Sequence, residues 1–218
     1  LLAEMAHLGI PLFLTELVFS GGIFLYALLF ERLGTEPLAA FQMASALETV
    51  FITANFGFHT AGTILVARAM GKRDARQIWH LGGSVWQLGL ISATIFGLLY
   101  ALTALLIPYL YPNTSPEVQR MAQWGVLASA LFQPIKASNM ILFGILPAGG
   151  DTRYLLLSDF ITVALVGLPL AYLLTFPLEM GFVGIYLGRL LGEEVSRVAM
   201  LGGRYYWGRW FNFQEKVS

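Results

Sequence analysis

Apolar residues run along the chain in six blocks, at about 8–30, 38–62, 79–108, 121–147, 154–176 and 181–205. A helix needs about 20 mainly apolar residues to cross a hydrocarbon core about 30 Å thick, so each block predicts a membrane-spanning helix. Strands are excluded because an open sheet edge cannot face lipid. Turn chemistry separates the blocks: Glu31-Arg32-Leu33-Gly34, Gly71-Lys72-Arg73-Asp74, the stretch from Tyr111 to Pro116, Gly149-Gly150-Asp151, and the stretch from Phe176 to Glu179. Pro11, Pro134 and Pro169 fall inside blocks, where each frees a carbonyl from the helix ladder and marks a hinge.

Polar positions interrupt these blocks in stripes. The first block carries Glu16 beside Thr15 and Ser20. The second carries Glu48, with Ser45, Asn55 and His59 at spacings that place all four on one helical face. In the fourth block, Ser129, Gln133, Lys136 and Asn139 share a face. Lys136 lies fifteen residues before Asp151. That is roughly 22 Å of helix, which puts it near or just past the middle of the membrane. An ionised group there costs at least about 2.5–3.5 kcal/mol and needs a partner or a wet cavity. The last block holds Arg189, Glu193 and Arg197 at successive i+4 spacing, with Glu194 on a neighbouring face. This ladder reads as structural, its charges neutralising one another along the helix. Gly184, Gly188 and Gly192 run beside it and predict close approach by a neighbouring helix. Asp159 is expected to reach the cytoplasmic interface, and His59 to bond a backbone carbonyl. Glu16, Glu48 and Lys136 have no opposite charge one turn away, so their partners must come from other helices or from water. A carboxylate in a low-dielectric site can exchange a proton for a cation, the chemical basis of antiport.

Composition agrees with the pattern. The chain is 57% hydrophobic and 12% charged, against about 25% charged in soluble domains. Its mean hydropathy is +0.69. The formal net charge is zero, and no basic patch is interleaved with aromatics, so nucleic acid is not an expected partner. Cysteine is absent, which excludes disulfides and thiolate metal sites. His7, His59 and His80 stand apart, so no metal site is expected. Basic residues orient the set. Arg68, Lys72, Arg73, Arg76, Arg153, Arg204, Arg209 and Lys216 fall on one side of the predicted membrane, and Arg32 and Arg120 on the other. Both termini are therefore expected in the cytoplasm, with 206–218 as a cytoplasmic tail and Tyr205, Tyr206, Trp207 and Trp210 as an aromatic anchor. The chain opens Leu-Leu-Ala-Glu without an initiator methionine, so either a few residues precede it or it begins inside a longer polypeptide.

Several stretches resemble one transporter family, and their order and spacing carry the likeness. Gly9-Ile10-Pro11 followed by Glu16 is similar to the start of the seventh helix of the multidrug and toxic compound extrusion (MATE) transporters. The stretch Leu33-Gly34-Thr35-Glu36-Pro37-Leu38-Ala39-Ala40-Phe41-Gln42 resembles the family's "LGT..LAA.Q" opening of the eighth. The run from Gly57 to Gly71 resembles the lead into the basic connection after it. The run from Gly144 to Arg153 resembles "G.LRGAGDTR", and Leu168-Pro169-Leu170-Ala171-Tyr172 resembles the eleventh helix. The match covers nearly the whole chain and favours the C-terminal half.

This resemblance implies an all-α membrane protein, a six-helix lobe of a twelve-helix antiporter with pseudo-two-fold symmetry. Two such lobes enclose a cavity and export cationic, amphipathic compounds against inflowing protons or sodium, with no resident cofactor. The expected partners are membrane lipid, the substrate, and the N-terminal lobe or a second copy of this chain. The expected location is the bacterial inner membrane. Glu16 matches an acid that one branch of the family uses for cation coupling. Lys136 stands where that branch carries an acid in its tenth helix, and "PIKASN" resembles a different bacterial branch. Candidate coupling or substrate residues are thus Glu16, Glu48, Lys136, Asn139 and Asn55, with Arg189, Glu193 and Arg197 as a structural ladder. The alternatives are a flippase for lipid-linked intermediates, built on the same architecture, and a lobe inactive in transport by itself. An intramembrane aspartyl protease using Asp151 and Asp159 is disfavoured, because Asp151 falls in a surface turn and is expected to cap the next helix.

Overall fold

The computed structural model describes residues 2–208, 210 and 211, with side chains described for 9–53, 55–208, 210 and 211. Arg209, Lys216 and the side chain of His7 lie outside the described residues, and so does the tail from 212 onward. Helix α1 (Leu2–Leu33) is unbroken. Helices α2 (Thr35–Ile52) and α3 (Phe56–Gly71) meet at a 3-10 turn, Thr53–Asn55, with a 47° bend. Helix α4 (Ala75–Leu102) runs through a 3-10 turn into the short α5 (Ile107–Leu110). Helices α6 (Pro116–Leu131) and α7 (Gln133–Ala148) are bent by 55°. The last two passes are continuous but widen in the middle. One is α8 (Thr152–Asp159), a π-helix (Phe160–Gly167) and α9 (Leu168–Thr175). The other is α10 (Gly181–Leu187), a π-helix (Gly188–Val195) and α11 (Ser196–Tyr206).

Length and composition qualify α1, α4–α5, α8–α9 and the two bent pairs as membrane spans. The sixth helical stretch, 181–206, is long enough but carries Arg189, Glu193, Glu194 and Arg197 within its central turns. It can lie in the same bundle only with those charges paired or facing a wet cavity.

Local chemistry starts and stops the helices. The Asp74 side chain accepts a hydrogen bond from the Gln77 amide at 3.0 Å and caps α4. Ser115 caps α6 by accepting from the Val118 amide at 3.3 Å, with Pro116 in the first turn. Gly34, at φ 124°, makes the reversal between α1 and α2, a conformation closed to most other residues. Pro134 lies in the first turn of α7, just after the break at Phe132. It therefore starts a helix instead of kinking one, which corrects the expectation of an interior proline there. Asp151 does not cap α8 with its side chain. Its Oδ2 instead accepts from Arg204 Nε at 2.6 Å, tying the Gly149-Gly150-Asp151 turn to the end of α11.

Two apolar clusters occupy opposite ends of the bundle. One gathers Tyr26, Phe30, Phe41, Tyr100, Ile107, Phe182 and Tyr186. The other gathers Val66, Ile78, Ile141, Ile145, Leu155, Leu201, Tyr205 and Trp210. In sequence, the charged positions of α2, α7, α8 and 181–206 fall between their residues, so a polar layer lies between two apolar ones. The glycine stripe acts as the spacing predicts. A side chain on Gly184 would meet Thr175 Cα at 2.8 Å and one on Gly192 would meet Gly167 Cα at 3.0 Å, while Gly188 packs on the Ala171 backbone. The expected aromatic anchor divides. Tyr206 and Trp207 are 70% and 76% exposed, as lipid-facing anchors would be. Tyr205 and Trp210 are instead buried, stacked at 5.7 Å with Trp79 at their edges. The absence of a side chain on Gly149 lets Trp210 close over the turn.

Candidate functional site

The polar layer opens into a cavity of about 680 Å³. Helices α1, α2, α3, α7 and α8 and the second π-helix with α11 supply its wall, including Glu16, Glu48, His59, Lys136, Asn139 and Asp159. Apolar surface comes from Phe19, Ile23, Phe41, Phe56, Met140 and Phe143. A mainly apolar pocket with a few polar groups is the usual build of a small-molecule site.

Lys136 finds its partner across the bundle. Its Nζ donates to Glu48 Oε1, which also accepts from Gln133 Nε2 at 2.9 Å. The bends place these groups together, since Glu48 precedes the α2–α3 break by one turn and Lys136 follows the α6–α7 break by one turn. Both side chains are nearly enclosed, at 5% and 11% exposure. One opposite charge and one amide donor meet the carboxylate, so this unit is locally neutral.

A second cluster centres on Arg197. Its Nε donates to Asp159 Oδ1 at 2.8 Å and its Nη2 to Glu193 Oε1 at 3.0 Å. Glu194 Oε2 lies 3.9 Å from Nη1. Asn139 Nδ2 joins α7 to this cluster by donating to the Glu194 carbonyl at 3.0 Å and to its Oε2 at 2.8 Å. Asp159 is therefore buried in an ion pair and does not reach an interface, contrary to expectation. The predicted ladder is only half formed. Glu193 pairs with Arg197, but no ion pair joins it to Arg189 among the described residues. Residues 188–195 are π-helical, with i→i+5 bonding, so positions four apart no longer stack as in an α-helix. Arg189 instead lies against the rings of Tyr26 and Phe41, at 5.8 and 5.7 Å, and lines the cavity.

Glu16 is exposed on the cavity wall, and no ion pair reaches it among the described residues. Asn55 does not join the site. It is fully buried at the 3-10 turn, where the bend takes it off the face it would share with Glu48 on a straight helix, and neither amide atom has a hydrogen-bond partner among the described residues. Phe41 and Gln42, also in the wall, escaped the reading of the sequence, although Phe41 stands two turns before Glu48 on the same face.

The family model described as MatE matches residues 11–173. This chain belongs to the MATE family. The probable multidrug resistance protein NorM of Brucella suis is 31% identical over 204 residues, covering 91% of this chain and 43% of its own length. The multidrug resistance protein MdtK of Proteus mirabilis is 30% identical over 203 residues, with 91% and 43% covered. The chain thus spans less than half the length of these curated relatives. Among solved structures, a mutant of the Vibrio cholerae MATE transporter VcmN superposes with a TM-score of 0.85 at 19% identity, covering 99% of this chain and 49% of the other. An outward-facing multidrug resistance MATE transporter gives a TM-score of 0.81 at 19% identity, with 99% and 48% covered. These likenesses show the fold: an all-α, multi-pass membrane lobe about half the size of a MATE transporter. In this MATE lobe the cavity wall is thus made by the helices that carried the polar stripes.

Proposed function

We propose that this chain is one lobe of a secondary active antiporter that exports cationic, amphipathic small molecules in exchange for protons or sodium. The observation that carries this reading is the charge balance of the cavity. Glu16, Glu48, Asp159 and Glu194 face Lys136, Arg189 and Arg197 on its wall, and Glu193 backs Arg197. With all of these ionised, the acids exceed the bases by two in a low-dielectric layer, which favours a cationic occupant. Among the described residues no ion pair reaches Glu16, so a proton, a metal cation or a cationic substrate can compete for it. Exchange of this kind needs no covalent step and no resident cofactor. The apolar wall suits the body of an amphipathic molecule.

The lobe works by alternating access against a second lobe, either the N-terminal half of a longer polypeptide or another copy of this chain. The face of α1 carrying Ile10, Phe13 and Leu17 is exposed beside Glu16 and is where the second lobe or lipid would lie. The bias of basic residues supports a cytoplasmic position for the Gly71–Asp74 and Gly149–Asp151 turns, in what we take to be a bacterial inner membrane.

The test is uptake into inverted vesicles by the full-length polypeptide that contains this chain. Accumulation of a cationic dye under a proton or sodium gradient is the expected result. Failure with both gradients, together with binding of lipid pyrophosphates, would replace this reading with a flippase.

A further inference from the structure

A second cavity, of about 580 Å³, shares no residue with the one described above. It is a groove on the outer face of the bundle, between the end of α1 and α9. Leu25, Leu28, Leu29 and Arg32 recur on α1 at the spacing of one helical stripe. Leu168 and Tyr172, one turn apart on α9, form the other wall. Leu25, Leu28 and Tyr172 are 45%, 36% and 49% exposed, so the groove is open to its surroundings. The α1 stripe runs for roughly 10 Å of helix, and its character changes along that length. The leucines come first, and Glu31 and Arg32 close it in the last turn before Gly34 reverses the chain. Tyr172 stands in the last turn of α9. These are the first and fifth passes, so both helices end on the same side of the bundle. The groove is therefore apolar along its wall and polar at its mouth, which is the complement of an amphiphile. Neither charge at the mouth is paired within the bundle. Glu31 and Arg32 are exposed, and among the described residues no ion pair reaches either one.

We propose that this groove is a binding site for one phospholipid whose head group carries a phosphate and a primary amine. The phosphate would accept from the Arg32 guanidinium and the ammonium would donate to Glu31, while an acyl chain lies along the leucines. The Tyr172 hydroxyl stands at the level of the mouth, as interfacial tyrosines do, and would donate to an ester carbonyl. Arginine alone at the end of a span would meet any lipid phosphate. The acid beside it makes the site selective, because a head group with net negative charge meets Glu31 as a like charge. The assignment is independent of antiport, since it draws on no residue of the central cavity.

The test is native mass spectrometry of the full-length polypeptide in neutral detergent. The probes are dioleoyl phosphatidylethanolamine, dioleoyl phosphatidylglycerol and dioleoylglycerol, which share acyl chains and differ in head group. Wild type is expected to retain one phosphatidylethanolamine about fivefold or more tighter than either other lipid. Arg32→Gln should bring phosphatidylethanolamine down to the level of dioleoylglycerol. Glu31→Gln should remove the preference over phosphatidylglycerol and leave phosphate binding in place. Both positions are exposed, so neither variant is expected to disturb folding. Leu28→Trp, which fills the trough, should weaken all three lipids together and so ties the binding to this groove. Equal retention of the three lipids by wild type overturns the proposal, and so does a groove closed to every lipid because the second lobe covers it. A head-group preference that survives Arg32→Gln, Glu31→Gln and Leu28→Trp unchanged belongs to another part of the surface and overturns it as well.

Discussion

Glu48 and Lys136 meet one to one, whereas Arg197 faces Asp159, Glu193 and Glu194 together. Both units line one cavity, but they are mounted on different backbones. The Glu48–Lys136 unit sits on two spans broken by bends of 47° and 55°, beside the point where each helix changes direction. The Arg197 unit sits on two spans that stay continuous and widen into π-helix, packed through Gly184, Gly188 and Gly192. A bend brings one side chain to one partner on another helix. The widened pair lays several charges side by side, so one guanidinium must serve three carboxylates. The first unit is balanced by itself, while the second and Glu16, offset in part by Arg189, carry the negative excess of the cavity.

The contrast predicts unequal losses. Arg197→Met should have the largest effect, at least about 5 kcal/mol, because it strands three carboxylates in a buried site. Thermal unfolding of the full-length protein in detergent measures it. Adding Asp159→Asn should recover only part of the loss, since two acids remain; full recovery would mean that Glu193 and Glu194 are not part of the unit. Lys136→Met should cost about 3 kcal/mol in the same assay. Here Glu48→Gln in the same protein should bring stability back to within about 1 kcal/mol of wild type, because the pair is self-contained. If the double variant stays as unstable as the single one, Lys136 serves more than Glu48.

The difference between the two units also marks what the sequence could carry. Helices and their approximate limits were legible because lipid allows few alternatives to long apolar helices, and Gly184, Gly188 and Gly192 announced the closest packing correctly. Glu16, Glu48, Lys136 and Asn139 could be singled out because each is costly at its depth without a partner or a wet cavity, and all four line the cavity. Their pairing was not legible. That Lys136 reaches Glu48 depends on two bends, one at a 3-10 turn with no proline in it. Asn55 and Arg189 were misplaced for the same reason: periodicity assumes 3.6 residues per turn, and both lie where the helix tightens or widens. Asp151 reads as a cap from its position, yet its carboxylate goes to Arg204, fifty-three residues away.

That pair supplies the next smaller effect. Asp151 and Arg204 keep 14% and 25% of their side chains exposed, so water and salt screen them as they cannot screen Arg197. Asp151→Asn should cost about 1 kcal/mol or less, and the difference from wild type should shrink in high salt. A loss comparable with that of Lys136→Met would mean that the turn, with Trp210 closed over Gly149, is part of the load on the bundle.

Glu16 completes the series, and it inverts the relation between stability and function. It shares the cavity wall with the paired acids but makes no ion pair among the described residues, so Glu16→Gln should change stability by no more than about 0.5 kcal/mol. Transport should respond in the opposite sense. In inverted vesicles the variant is expected to lose gradient-driven accumulation of a cationic dye while still binding the dye within a few-fold of wild type. Glu48→Gln should not copy that result, because Lys136 already neutralises Glu48 and its removal leaves an unpaired lysine. Two outcomes would reverse the assignment of roles. If Glu16→Gln destabilises the protein as much as Lys136→Met, Glu16 is a packing residue. If coupling survives in Glu16→Gln and fails in a folded Glu48→Gln variant, the balanced pair is the coupling site and the unpaired acid is incidental.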